Sequence, residues 1–211
     1  IEELIIDVVD IDNDILNVLK ILLEKQRNNI QINYICDDYL THEFKEKYDL
    51  VIGNPPFTKL KTSNKKLKEY LLKSKNKKSN NLVSFFIEKS LNISENIALV
   101  APKYILNTPE YEETRNILKE QNIKSIIDNG EIGFKGVLVE TICIIVNTLN
   151  KPNKTKVKSL TLHNEIEQKQ SYITDECYPY WIIYRNKLFD NISSKMKFNI
   201  FKVFRDRQIT N

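Results

Sequence analysis

The stretch Asp49-Leu50-Val51-Ile52-Gly53-Asn54-Pro55-Pro56-Phe57 carries residue types that can handle an amine. The Asn54 side-chain oxygen and the Pro55 carbonyl are two acceptors able to face the two hydrogens of one exocyclic NH2 group. Accepting both draws that nitrogen from planar towards tetrahedral and makes its lone pair available for nucleophilic attack. Pro55 and Pro56 have no N–H, so the turn presents carbonyl oxygens without competing backbone donors. Phe57 adds a flat face on which a base can stack, a contact of about 1–3 kcal/mol. Asn-Pro-Pro by itself also serves simply to turn a chain. The strand before it and the aromatic after it make it a candidate site.

Such a loop has to be held by regular structure. Leu50–Ile52 is a short apolar run of the kind found in buried strands of parallel sheets. Gly53 and the prolines cannot continue it, and each residue before a proline is pushed to extended backbone. The loop then falls beyond the carboxyl end of a strand, where open α/β sheets place ligands. Around it, strands are expected over 5–9, 30–35, 96–102, 123–127 and 137–146. Helices are expected after Asp12 or Asn13, near Lys65–Leu72, over Leu82–Leu91 and from Pro109 to Gln121. The alternation predicts a mostly parallel, doubly wound α/β sheet, with 137–146 as its antiparallel edge.

Two carboxylates stand at strand ends. Asp10 closes the first strand and is placed to accept hydrogen bonds from ribose hydroxyls, and Asp38 closes the second, where it can accept from an adenine amine. Singly, each is also an ordinary cap or turn residue. The order Asp10, Asp38, Asn54 on three successive strands is the more specific feature. Between Lys59 and Lys78 there are nine lysines and one acid, a local charge of +8 in a chain of net charge +4. That block reads either as a phosphate-contacting arm with salt-dependent affinity or as a solvated surface.

These residues resemble the amino-group DNA methyltransferases, in particular the N6-adenine enzymes of the gamma order found in restriction–modification systems, including the fused type IIG enzymes. Asn54-Pro55-Pro56-Phe57 resembles their motif IV, Asp10 the acid of motif II, Asp38-Tyr39-Leu40 motif III, and the glycine turn 128–136 motif VIII. The resemblance implies a Rossmann-like sheet that uses S-adenosyl-L-methionine. Asn54, Pro55, Pro56 and Phe57 would form the catalytic loop, with Asn54 and Pro55 holding the target amine and Phe57 stacked on a flipped adenine. Asp10, Asp38 and Tyr39 would bind the cofactor. Phe134 would touch the base, unless it packs its own turn, and Lys59, Lys61, Lys65 and Lys66 would contact double-stranded DNA. A fused or separate endonuclease is the implied partner. Ser in place of Asn54 is more usual where cytosine N4 is methylated. A DNA-binding module without catalysis is the alternative.

Composition is compatible with this. The chain has 211 residues, 41% hydrophobic and 28% charged, with no apolar run long enough to cross a bilayer and no secretory signal pattern. Three widely spaced cysteines read as buried thiols in a cytoplasmic protein, and two histidines make a metal cluster an unpromising expectation. Residues 1–147 are expected to form a partial catalytic domain, and 148–211, after a polar linker, the start of a target-recognition region. No glycine precedes Gly53, so the family's motif I loop has no counterpart. The expectation is a sheet incomplete at its N-terminal strand, in a fragment that by itself binds cofactor poorly.

Overall fold

The computed structural model describes residues 3–24, 29–131 and 139–196. Strand β1 (Leu4–Asp10) leads into α1 (Asn13–Leu22), whose N-cap Asp12 accepts from the amides of Asp14 and Ile15. Then come β2 (Ile30–Cys36), β3 (Tyr48–Gly53), α2 (Lys65–Lys73), α3 (Leu82–Ile93) and β4 (Ser94–Pro102). Two short 3-10 turns precede α4 (Glu112–Lys119), so the helix expected from Pro109 opens as a tighter turn. The chain continues through β5 (Asn122–Gly130), β6 (Thr141–Asn147), β7 (Lys154–Ser159), β8 (Asn164–Lys169), α5 (Gln170–Ile173) and α6 (Lys187–Ser193).

The α/β class stands, but the sheet departs from the expected pattern. β1 and β2 pair in parallel as a sheet of their own. The other six strands are ordered β3-β4-β6-β5-β7-β8, with only β3/β4 and β5/β7 parallel. β6 is antiparallel to both neighbours and lies between β4 and β5 rather than at an edge. Its sequence, Thr-Ile-Cys-Ile-Ile-Val-Asn, is apolar on both faces, which suits a strand whose two faces are covered. β3, by contrast, was expected to be buried, yet Leu50 is 53% and Ile52 72% exposed. Among the described residues it pairs only with β4, and β1 only with β2, so each leaves one edge open. The Tyr48 hydroxyl of β3 donates to the Asp7 carboxylate of β1 and ties the two sheets together.

The main core lies on the six-stranded sheet, where Ile97, Leu99, Ile126, Ile144 and Val146 meet Val83 and Ile87 of α3. Ile126 is fully buried there. We expect Ile126→Ala to destabilise the protein by about 3 kcal/mol, read by urea titration, because the removed atoms leave a cavity in a packed layer. The same core takes in Val157, Ile173, Trp181 and Ile183, so packing runs across the expected boundary after Asn147. Gln170, 1% exposed, reinforces this by accepting from the Ile123 amide at 2.8 Å and donating to the carbonyls of Lys119 and Gln121. The thiols were expected to be buried, but Cys36 and Cys177 are exposed and Cys143 is half-buried. Cys36 stands at the open end of β2 and Cys177 in a loop, so neither lies in the packed layer. Among the described residues no helix is long and apolar enough to cross a membrane.

Candidate active site

Hydrogen bonding along β3 ends at Gly53, and the loop turns away as the prolines require. Pro55 is buried and anchors the turn, while Asn54 and Pro56 are exposed. The Asn54 side chain has no hydrogen-bond partner among the described residues, so both its amide groups face outward unengaged. Phe57, three residues after Asn54, is half-buried and packs against the main core.

The next residues form a closed excursion. The Leu82 amide donates to Thr58 O at 3.0 Å and the Leu60 amide to Asn80 O at 2.8 Å, with Lys59 bridged to Asn81. Residues 58–82 therefore leave the Asn54 loop and return beside it, carrying all nine lysines of the basic block. Asn64 caps α2 within the excursion, and Lys77 donates its ammonium at 2.6 Å to Leu71 O in the last helical turn, where cations are favoured. Past α2, the chain is pinned from below by Glu88 of α3, which is 5% exposed. Glu88 accepts from the Ser74 hydroxyl, the Lys75 amide at 2.6 Å and the Asn76 side-chain amide at 2.7 Å.

The four lysines singled out in the sequence differ in what they do. Lys59 is paired with Glu110, and Lys66 with Asp38 at 2.9 Å. Lys61 and Lys65 are exposed and carry no ion pair among the described residues. The pair on Lys59 holds the excursion to the 3-10 turn before α4. Its ammonium is held above the ordinary lysine value mainly by the hydrogen bond to Glu110.

Asp10 and Asp38 stand at the same end of two paired strands, since β1 and β2 run parallel with Asp10 opposite Cys36 and Asp38 follows two residues on. Asp10 accepts from the Asp12 amide at 2.8 Å, which fixes the turn into α1. Asp38 uses one oxygen to accept from the Leu40 amide at 3.1 Å and the other to accept from the Tyr70 hydroxyl at 2.7 Å and from Lys66. Burial pushes the Asp38 carboxyl up, but the bonds from Tyr70, Lys66 and Leu40 outweigh it and hold the group below the usual aspartate value. Tyr39 points elsewhere. Its hydroxyl meets Ser90 Oγ at 2.7 Å and its ring stacks on Phe86 at 5.0 Å, both on α3. Burial pushes the Tyr39 phenol up to about 12, so it stays protonated. Phe134 lies outside the described residues.

Three groups escaped the sequence. Tyr70 sits one helical turn from Lys66, and that i, i+4 spacing on α2 was the available signal. Glu88 was a lone acid on an apolar helix face, a pattern that calls for buried partners. Asp128, 3% exposed, accepts from Lys103 at 3.1 Å, the Tyr184 hydroxyl at 2.9 Å and the Gly130 amide at 3.1 Å. Lys103 also meets Glu140 at 2.9 Å, and burial, which pulls its ammonium down, is outweighed by the two carboxylates that hold it high. This cluster joins the carboxyl ends of β4 and β5, and no sequence spacing announces it. It ends at Gly130, whose φ of +58° and close neighbour Thr161, 2.6 Å from a Cβ built there, both demand glycine.

The sequence profile of the family described as Eco57I restriction-modification methylase matches residues 3–134, more than half of the chain. No individual curated protein sequence matches significantly. Among solved structures, the type IIG restriction endonuclease BpuSI superposes with a TM-score of 0.67 at 14% identity, covering 85% of this chain and 29% of its own. A chain from Vibrio vulnificus described as the modification subunit of a type I restriction enzyme gives 0.60 at 11%, covering 75% and 36%. One from Listeria monocytogenes described as a class I S-adenosylmethionine-dependent methyltransferase gives 0.59 at 18%, covering 74% and 49%. The fold is thus that of the class I S-adenosylmethionine-dependent methyltransferases. The present chain spans between 29% and 49% of the length of these structures.

Proposed function

The chain belongs to the Eco57I restriction-modification methylase family, and from that membership and the Asn54 loop we propose that it methylates the N6 amine of adenine in double-stranded DNA. The observation that carries the proposal is the exposed, unengaged Asn54 side chain at the carboxyl end of β3, with Phe57 packed on the core three residues further on. A reacting base amine is inaccessible within a stacked duplex, so the adenine must be flipped out to meet this loop. There Asn54 Oδ1 and the Pro55 carbonyl accept its two hydrogens, and Phe57 supports the base plane. Their contribution is orientation and electrostatic stabilisation of the charge that develops on nitrogen, which requires no base before attack.

S-adenosyl-L-methionine supplies an electrophilic methyl group. The residues present fit its nucleoside half: a carboxylate follows each of two adjacent parallel strands, and Asp38 retains an acceptor position after its three hydrogen bonds. Asp10 would take the ribose and Asp38 the adenine amine. Tyr39, turned onto α3, would support the Asp38 turn rather than stack on the cofactor. We place the partner of the open β1 and β3 edges in a further parallel strand of the protein, whose glycine-rich end would cradle the methionine portion. Residues 148–211 would begin the target-recognition region, and Phe134 would contact the base. An endonuclease, fused or separate, would complete a restriction–modification system.

The excursion 58–82 would lie along the phosphates, with Lys61, Lys65 and Lys68 among its exposed cations that carry no ion pair among the described residues. Each phosphate contact adds about 0.9 to the slope of log K against log salt concentration. We expect replacement of these three lysines by glutamine to reduce that slope by about 2–3 in the full-length protein, measured by fluorescence anisotropy on a duplex. An unchanged slope removes the excursion from the DNA interface. The enzymatic proposal is tested by transfer of labelled methyl from S-adenosyl-L-methionine to duplex DNA. Absence of label from a folded, DNA-binding full-length protein would leave the non-catalytic alternative.

A further inference from the structure

The Asp38 carboxylate is immobilised by a helix that the sequence assigned to DNA. Its two oxygens offer about four lone-pair directions. Oδ2 receives the Tyr70 hydroxyl at 2.7 Å and the Lys66 ammonium at 2.9 Å, and Oδ1 receives the Leu40 amide at 3.1 Å. One acceptor direction on Oδ1 is left over. The turn itself is fixed, because the amides of Thr41 and His42 both donate to Asp38 O. The carboxylate cannot rotate without breaking bonds from two separate segments.

Tyr70 is also well placed to hold this arrangement. It is 7% exposed, and its ring lies among Leu40, Leu67 and Phe85, at 5.7 Å from the Phe85 ring. A buried hydroxyl needs an acceptor, and Asp38 is the one it has. Packing fixes the ring, the ring fixes the hydroxyl, and the hydroxyl fixes Oδ2. Lys66, one helical turn away, supplies the countercharge that keeps a half-buried carboxylate ionised.

We propose that Tyr70 and Lys66 are positioning residues for the nucleobase of the cofactor, aiming the free lone pair of Asp38 Oδ1 at the adenine amine. The proposal rests on the reading of Asp38 as the acceptor of that amine. It moves Lys66 from the DNA-contacting set to the cofactor side and makes α2 a wall shared by the two sites. Tyr70→Phe keeps the ring in its apolar cluster and removes only the donor. Lys66→Met keeps the alkyl stem and removes only the charge.

The test is calorimetric binding to the full-length protein of S-adenosylhomocysteine and of its inosine counterpart, in which a carbonyl replaces the adenine amine. The wild-type protein prefers the adenine form. Tyr70→Phe is expected to weaken the adenine form by about tenfold, a loss near 1.4 kcal/mol, while the inosine form changes by less than twofold. Lys66→Met shifts the preference in the same direction. Equal weakening of both forms means a merely structural role for Tyr70 and overturns the proposal. Asp38→Asn separates the two layers. If it abolishes the preference while Tyr70→Phe and Lys66→Met preserve it, Asp38 binds the amine without their help and the inference fails alone. If Asp38→Asn preserves the preference, the reading of Asp38 fails and takes the inference with it.

Discussion

Replacing Asn54 by alanine is expected to lower the single-turnover rate of methyl transfer by about 10²–10³-fold, the scale seen when one preorganised polar group is removed from a charge-stabilising site. The fold should not notice. Asn54 is exposed and without a hydrogen-bond partner among the described residues, and substitutions at such positions usually stay within about 0.5 kcal/mol. Loss of rate with an unchanged melting temperature is therefore the specific signature. Asn54→Asp retains an acceptor oxygen facing the amine and should keep more activity than the alanine variant. A rate within twofold of wild type for Asn54→Ala would remove the residue from the chemistry.

The second large effect is on stability. Glu88 lies in the interior as a carboxylate acceptor for Ser74, Lys75 and Asn76, and Asn76 is itself fully buried. Thr114 of α4 continues the network, donating to Asn76 Oδ1 at 2.8 Å beside Ser84. Glu88→Ala would strand at least two buried donors, each costing about 1–3 kcal/mol, so a loss of about 3 kcal/mol or more is expected in urea titration. That is a large part of the roughly 5–15 kcal/mol by which a domain is stable. Because the same bonds shape the chain that carries Lys73, Lys75, Lys77 and Lys78, DNA affinity should fall at temperatures where the variant remains folded. Glu88→Gln keeps one acceptor and should fall between the two. A cost under 1 kcal/mol for Glu88→Ala would show that water replaces the carboxylate.

Much of this was legible in the residues themselves. Elements announced by strong local chemistry were found where expected: the strand stopped by Gly53 and two prolines, the helix capped by Asp12, the apolar helix from Leu82. Local pattern also placed Asp10 and Asp38 at one end of adjacent strands. What failed depended on neighbours. The apolar run Leu50–Ile52 looked buried because its composition suits burial, but whether a strand is covered depends on what pairs with its other edge. The position of β6 between β4 and β5 is a matter of long-range register, which period-2 patterning cannot express. The hydrogen bond from Tyr70 to Asp38 went unread for a similar reason. Adjacency to Asp38 in sequence favoured Tyr39, yet successive side chains diverge, and Tyr70 reaches Asp38 from 32 residues away. The Lys103–Asp128 pair joins two strand ends and left no spacing to read.

The lysine block teaches the same lesson about charge. Counted along the chain it is one patch of like sign. In the structure Lys59 and Lys66 are spent on carboxylates, Lys77 closes a helix end, and Lys61, Lys65, Lys68, Lys73, Lys75 and Lys78 remain exposed without ion pairs among the described residues. The residues available to a polyanion are therefore fewer than the sum of charges suggests.

The most direct test is the chemical identity of the product. The full-length protein would be incubated with duplex DNA and S-adenosyl-L-methionine carrying a labelled methyl group, and the DNA digested to nucleosides and separated. The account predicts label in N6-methyldeoxyadenosine, absent with Asn54→Ala. Label in N4-methyldeoxycytidine, or in protein rather than DNA, would contradict the assignment of the Asn54 loop to a flipped adenine.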